Sequence, residues 1–202
     1  LVTGCAGFIG SNLVEKLLKK NYKVIGVDNL SVGKLDNIKN NLKNKNFFFY
    51  KLDLLNFKKN SFIFKKNISI VFHLAANADV RYGFKNPDKD LKLNTLVTFN
   101  ILKNMKKNNI KKIVFSSTGS IYGEPKEFPT KEDAKFPIQT SFYGASKLAC
   151  ESLIQAFCHG YNIKCWIFRF VSVFGKNYSH GHVIDFYKQL KKNKKLLKVL
   201  GD

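Results

Sequence analysis

Short apolar runs alternate with amphipathic stretches along the chain. Leu1-Val2-Thr3 runs into a glycine-rich turn, and behind the turn Leu13, Leu17 and Leu18 fall on one side of a helix. Lys23-Val24-Ile25-Gly26-Val27-Asp28 is a β-branched run that ends in an acid. Residues 29–46 are polar, with Asn29, Ser31 and Gly33 as turn formers and a weak helix behind them. Phe47–Leu52 predicts a third strand ending near Asp53, residues 56–66 a helix, and Ser69–Leu74 a fourth strand running into Ala75 and Ala76. Residues 77–89 read as a loop containing Pro87. A longer helix over 91–107 follows, with Leu93, Val97, Ile101, Leu102 and Met105 at helical spacing. Lys112–Ser116 predicts a fifth strand, Phe142–Phe157 a helix and Lys164–Phe170 a sixth strand, with a polar loop carrying Pro125, Pro129 and Pro137 between the first two. From Gly175 the pattern loosens: Val183–Leu190 reads as helix and Leu197–Leu200 as a strand.

Strands alternating with helices predict an α/β protein, with a doubly wound parallel sheet covered on both faces. The strands are nearly continuous apolar runs, as two covered faces require. Residues 1–175 are expected to form one domain and 176–202 the beginning of a smaller, incomplete substrate-binding domain. Both ends are expected to be cuts from a longer protein.

Composition narrows the partners. The net charge of +21 raises nucleic acid as a ligand, but almost all of it is lysine; Arg81 and Arg169 are the only arginines. Phosphate and base recognition favours arginine forks. The lysines are interspersed with asparagines on solvated helix ends and loops, so no nucleic-acid partner is expected. No apolar run approaches a membrane span, so no membrane association is expected. Cys5, Cys150, Cys158 and Cys165 lack metal-ligand spacing and are expected to be reduced thiols in a cytoplasmic protein.

The candidate chemistry begins at Gly4, Gly7 and Gly10, spaced three apart between a strand and a helix. Glycines admit close approach of a pyrophosphate, and a helix N-terminus attracts it. Asp28 ends the next strand, where a carboxylate accepts from both ribose hydroxyls and repels a 2′-phosphate, favouring NAD over NADP. Asp53 ends the third strand and is placed to meet adenine. Tyr143 and Lys147 are four apart on a predicted helix, so an ammonium can lower the phenol pKa toward neutrality. Ser116-Ser117-Thr118 follows the fifth strand, at the sheet end where ligands bind. His73 is expected to pack or to bond backbone, and Cys150 to be buried and inert. His180 and His182 make no convincing metal site, and Lys188–Lys195 reads as a solvated helix end; no metal is expected.

These motifs together resemble the extended short-chain dehydrogenase/reductases, and within them the NAD-dependent epimerase/dehydratase family of the UDP-glucose 4-epimerase kind. The resemblance rests on Thr3-Gly4-x-x-Gly7-x-x-Gly10, Asp28-Asn29-Leu30-Ser31, His73-Leu74-Ala75-Ala76, Ser116 to Gly123 and Tyr143-x-x-x-Lys147. It implies a Rossmann fold and NAD as cofactor. It implies Tyr143 as catalytic base, Lys147 as its tuner and ribose ligand, and Thr118 as the catalytic hydroxyl. Gly4, Gly7, Phe8, Ile9 and Gly10 would line the pyrophosphate turn, with Asp28 and Asn29 at the ribose and Asp53 and Leu54 at the adenine. Leu74, Ala75 and Ala76 would pass under the cofactor, Ser116 would border it, and Asn94 would brace it from its helix. The implied reaction is epimerisation of a UDP-sugar, at C4, through a transient 4-keto sugar. Sugar dehydratases of the family carry acids after the catalytic threonine, where this chain has Gly119 and Ser120. The family often has asparagine where Ser172 stands and proline in place of Lys176. A homodimer through the 91–107 helix and the Tyr143 helix is also implied. The rivals are a dehydratase, decarboxylase or reductase of the same fold, or a non-catalytic NAD- or nucleic-acid-binding protein.

Overall fold

In the computed structural model, six apolar strands lie side by side, all parallel. They are β1 (Val2–Thr3), β2 (Val24–Asp28), β3 (Phe47–Lys51), β4 (Val71–His73), β5 (Lys112–Thr118) and β6 (Lys164–Phe170), in the order β3-β2-β1-β4-β5-β6. The helices are α1 (Phe8–Lys19), α2 (Phe57–Phe64), α3 (Pro87–Asp90), α4 (Val97–Lys107), α5 (Phe142–Tyr161) and α6 (His182–Lys192), with a π-helical segment over Leu91–Leu96 joining α3 to α4. The structure describes residues 1–78, 80, 83–134, 138–178 and 181–199, and only the backbone of 57–60. Arg81, Pro137, His180 and Leu200, named above, lie outside the described residues.

The chain starts in the middle of the sheet, winds out to β3, returns beside β1 as β4, and winds out again to β6. This is the doubly wound Rossmann fold. Its strand order reverses between β1 and β4, and there the loops on either side diverge and leave a crevice.

Alternating side chains of each strand face opposite ways. Val2, Val24 and Phe47 pack with Val14 and Leu18 of α1 on one face. Val27, Val71, Ile113 and Phe115 pack with Ile63 of α2, Ile101 and Met105 of α4 and Ile154 of α5 on the other. At roughly 25 cal/mol per Å² of apolar surface removed from water, these two layers are the main stabilising term.

Several expectations are corrected. Residues 29–46 hold two 3₁₀ turns, Leu35–Asn37 and Asn41–Lys43, instead of a helix. The asparagines compete for backbone groups, as where Asn44 Oδ1 accepts from the Asn46 N–H at 2.9 Å. Fully buried Ile38 ties the segment to the core. Helix begins at Pro87, inside the expected loop, because proline suits the first helical position. β5 extends to Thr118, and α5 runs past Phe157 to Tyr161, where Asn162 closes it in the left-handed conformation at φ 52°. Residues 197–199 form no strand: the Gln189 side chain of α6 binds both backbone groups of Lys198, at 2.8 and 3.2 Å. Among the described residues no helix is long and apolar enough to cross a membrane.

His73 joins the layers. Its ring packs against Phe115 at 5.4 Å, as expected, while its nitrogens lie 2.9 Å from Thr3 Oγ1 and 2.9 Å from Thr98 Oγ1, so the ring bonds side-chain hydroxyls in place of backbone. Burial, helped by the charge of Lys147, pushes its pKa from 6.5 down to about 3. Below pH 6.5 the unfolded chain therefore takes up a proton that the folded chain refuses. Folding stability should fall by about 1.4 kcal/mol per pH unit from this group as pH drops from 6.5 toward 3. Urea unfolding across that range should show a slope shallower by that amount in His73→Gln, whose neutral amide can still bond the hydroxyls.

Candidate active site

The site is built where β1 ends. Gly4 adopts φ +68°, and a Cβ on it would lie 2.8 Å from Ala75 N. A Cβ on Gly10, in the first turn of α1, would lie 2.0 Å from Gly4 O. The end of β1, the start of α1 and the loop after β4 thus meet backbone to backbone, and a side chain at either glycine would force them apart. α1 has no side-chain cap and no acid in its first turn. Its positive end is left for an external anion.

Asp28 closes one side of the turn. It is 8% exposed; Oδ2 accepts from Ala6 N at 2.9 Å and Oδ1 from Leu30 N at 2.8 Å. A carboxylate has about four lone-pair sites, so each oxygen can still accept from a hydroxyl. Asn29 Oδ1 takes the N–H and hydroxyl of Ser31, at 3.0 and 2.7 Å. Asp53 Oδ1 accepts from Leu55 N at 3.0 Å and shapes the turn that presents Leu54.

At the far end, β5 delivers Thr118 and α5 delivers Tyr143 and Lys147. The Thr118 and Tyr143 side chains both line the cavity here. Thr118 Oγ1 also accepts from Ser120 N and donates to Ser120 Oγ, each at 3.1 Å. Lys147 is 2% exposed, donates to Ser116 O at 2.8 Å, and sits 4.7 Å from the centre of the Phe115 ring. Burial pulls its pKa down to about 8, against the opposing pull of Cys150 and Glu151.

The Tyr143 phenol is not lowered as expected. Burial raises it, the polar Thr118 side chain opposes the rise, and the charges of Asp90 and Cys150 add to it. Lys147 is itself desolvated and bound to Ser116 O, so a lysine one turn away does not outweigh burial. Cys150 is buried and receives the Thr98 hydroxyl at 3.2 Å. Cys5 is fully buried, and burial with the charge of Asp28 raises its thiol, so neither cysteine is a ready nucleophile.

One cavity of about 750 Å³ joins the two ends. Gly4, Gly7, Phe8, Ile9, Gly10, Asp28, Asn29, Asp53, Leu54, Leu74, Ala75, Ala76, Ser116, Thr118, Tyr143 and Lys147 all line it. Asn94 does not. It is 1% exposed behind the cavity wall, where Oδ1 accepts from Asn77 N at 2.8 Å and Nδ2 donates to Ser146 Oγ at 2.8 Å. An uncapped helix end, a turn without side chains and a carboxylate with spare lone pairs fit a dinucleotide lying along the strand ends.

Sequence reasoning missed two parts of the wall. Gly33 covers Asp28 so closely that a Cβ would lie 2.9 Å from Oδ2; its only signal was that of a turn residue. The segment after β6 folds back on α1: Tyr178 meets the Phe8 ring edge-on at 5.4 Å, Asn12 donates to Lys176 O at 2.7 Å, and Lys176 pairs with Glu15 at 2.9 Å. That ion pair gives Lys176 a role where the family often has proline. His182 is exposed on α6 against Phe186, and among the described residues no three His, Cys, Asp or Glu side chains gather as metal ligands.

Fold and site together define a Rossmann-fold α/β protein whose cavity runs from a glycine turn to a cluster of hydroxyls and a buried lysine. The model of the NAD dependent epimerase/dehydratase family matches residues 1–202, and the chain belongs to that family. It is 39% identical over 184 residues to a UDP-glucuronate 4-epimerase of Thermodesulfobacterium geofontis, covering 87% of this chain and 56% of that protein. It is 31% identical over 207 residues to a UDP-glucose 4-epimerase of Mycolicibacterium smegmatis, covering 100% of this chain and 66% of that protein. The structure of UDP-glucuronic acid 4-epimerase from Bacillus cereus, in complex with UDP-glucuronic acid and NAD, superposes with a TM-score of 0.89 at 33% identity, covering 100% of this chain and 65% of that one. The chain therefore spans between about half and two thirds of the length of these relatives.

Gly10→Ala should destabilise the protein by at least about 1–3 kcal/mol, because the new methyl meets a backbone oxygen that cannot rotate away. A lowered thermal midpoint checks this, and an unchanged midpoint contradicts it.

Proposed function

We propose that this chain is the dinucleotide-binding part of an NAD-dependent enzyme that inverts C4 of a UDP-sugar through a transient 4-keto sugar. The observation that carries the reading is the Thr118–Tyr143 hydroxyl pair beside buried Lys147, opening on the same cavity as the glycine turn. The N-terminus of α1 and Gly4 to Gly10 would hold the pyrophosphate, Asp28 and Asn29 a ribose, and Asp53 and Leu54 the adenine. NAD, when bound, would supply the hydride acceptor and donor and a positive charge.

The protein's share is proton handling and placement. With its pKa raised, Tyr143 rests as the phenol and would lose its proton to solvent when the positive charge of a ligand enters the cavity. The phenolate then takes the proton from the sugar hydroxyl and later gives it back. Thr118 shares that hydrogen bond. Lys147, at about 8, is mostly charged at neutral pH and is held in place by Ser116 O.

Asp28 and Asp53 are the carboxylates among the described lining residues, and both stand at the ribose and adenine end. With Gly119 and Ser120 after Thr118, no described carboxylate lines the cavity beside Thr118 and Tyr143 to add or remove water, which favours epimerisation over dehydration. The names of the relatives favour a uridine diphosphate on the sugar.

Residues 1–175 are read as the NAD-binding domain and 176–202 as the beginning of the substrate-binding part, with Lys176 to Tyr178 as the hinge that clasps α1. Exposed Leu96 and Phe99 of the π segment and α4, the latter edge-on to Phe157 of α5, support self-association through these helices as a homodimer. Four free cysteines suit a reducing, cytoplasmic setting.

The test is incubation of the full-length protein with NAD and a panel of UDP-, GDP- and dTDP-sugars, read by NMR for new epimers. Tyr143→Phe should keep the fold and lower kcat by about 10²–10⁴. Normal turnover in that variant would remove Tyr143 from the mechanism.

A further inference from the structure

One buried carboxyl has no part in the scheme above. Asp90, at the end of α3, is 1% exposed. Its Oδ1 accepts from Asn77 Nδ2 at 2.8 Å and from Asn94 Nδ2 at 3.3 Å. Its Oδ2 is enclosed and has no hydrogen-bond partner. Gly83 is packed against that oxygen: a Cβ on Gly83 would lie 2.9 Å from Oδ2 and 2.9 Å from Phe142 Cβ. Among the described residues no cation pairs with Asp90.

The hydrogen bonds lead to the reaction centre. Asn94 donates to Ser146 Oγ at 2.8 Å, and Ser146 Oγ donates to Tyr143 O at 2.8 Å. Asn77 lies in the loop that continues from Ala75 and Ala76. The π-helical segment matters here: it starts immediately after Asp90 and contains Asn94, so both side chains are buried on the α5 side. Binding two amide groups needs only a neutral acceptor, which an asparagine supplies. An enclosed carboxylate oxygen without a donor is costly, so its retention calls for a use of the charge.

We propose that Asp90 is a positioning residue for the reaction. Through Asn94 and Ser146 it fixes the backbone of Tyr143, and its unpaired oxygen sets a negative charge against the Tyr143 side chain. This role rests on the epimerase reading in so far as it serves turnover. The groups that act on the phenol are Thr118 from β5, Asp90 from α3 and Cys150 on α5, with Lys147 one turn along the same helix. Asp90 and Cys150 act with burial to keep the phenol protonated, against the polar Thr118 side chain. Asp90 thereby holds the proton on Tyr143 until ligand charge arrives.

Asp90→Asn removes the charge and keeps an acceptor for the amides. The first readout is made without any ligand: ¹³C-tyrosine NMR against pH, with Tyr143 assigned by its loss in Tyr143→Phe. The Tyr143 midpoint should fall in Asp90→Asn. The acid limb of the turnover profile with NAD and UDP-sugar should move the same way. Asp90→Ser, which leaves room for water between the two amides, gives the same test if the asparagine variant does not fold, and the same fall is expected. A Tyr143 midpoint unchanged from wild type in a folded variant overturns the proposal and leaves Asp90 a structural link. If the wild-type protein turns over no sugar nucleotide but the midpoint still falls, the enzymatic reading fails and the placement of Asp90 against Tyr143 stands.

Discussion

Everything in this structure depends on one close approach, that of the Gly10 α-carbon to the Gly4 carbonyl. No side chain fits between them, and the backbone of Ala75 presses on Gly4 from the other side. The contact fixes the start of α1 at the point where the strand order reverses. It brings an uncapped helix end to the mouth of the crevice and lets Val14 and Leu18 reach the sheet beneath. Asp28 secures the same turn by taking the Ala6 N–H. A single carboxylate thus holds the glycine turn in shape with lone pairs to spare.

The reaction end obeys a different constraint, which is burial. Lys147 is enclosed and its ammonium survives near neutrality because Ser116 O receives it and the charges of Cys150 and Glu151 support it. Glu151 is in turn held by Arg169, at 2.9 Å. The phenol of Tyr143 feels the same low-polarity surroundings with the opposite consequence for its charge. Burial pulls an ammonium down and pushes a phenol up, so the titration ranges of the two groups move apart. Lys147 is brought close to neutrality while Tyr143 keeps its proton.

What was legible in the sequence was what local geometry demands. Gly4, Gly7 and Gly10 announced a turn because nothing larger fits it, Asp28 because it ends an apolar run, and Tyr143 with Lys147 because four residues make about one helical turn. The doubly wound sheet followed from the alternation of apolar runs with helical periodicity. What escaped was set by partners far along the chain. The rise of Tyr143 comes from enclosure, which no spacing encodes. Lys176 and Glu15 are 161 positions apart and meet only because the segment after β6 turns back on α1. Asp90 sat between an expected loop and an expected helix, and its network with Asn77, Asn94 and Ser146 exists only once the π-helical segment packs on α5. Residues 197–199 read as a strand by composition, but the Gln189 side chain takes the backbone groups of Lys198 at its centre.

The central claim is that the glycine turn and Asp28 together select a dinucleotide with a free ribose 2′-hydroxyl. Calorimetric titration of the full-length protein with NAD and with NADP, side by side, tests it most directly. NAD should bind at least about tenfold tighter, because a 2′-phosphate would sit against the Asp28 carboxylate. Equal or tighter binding of NADP, or no binding of either, would contradict it.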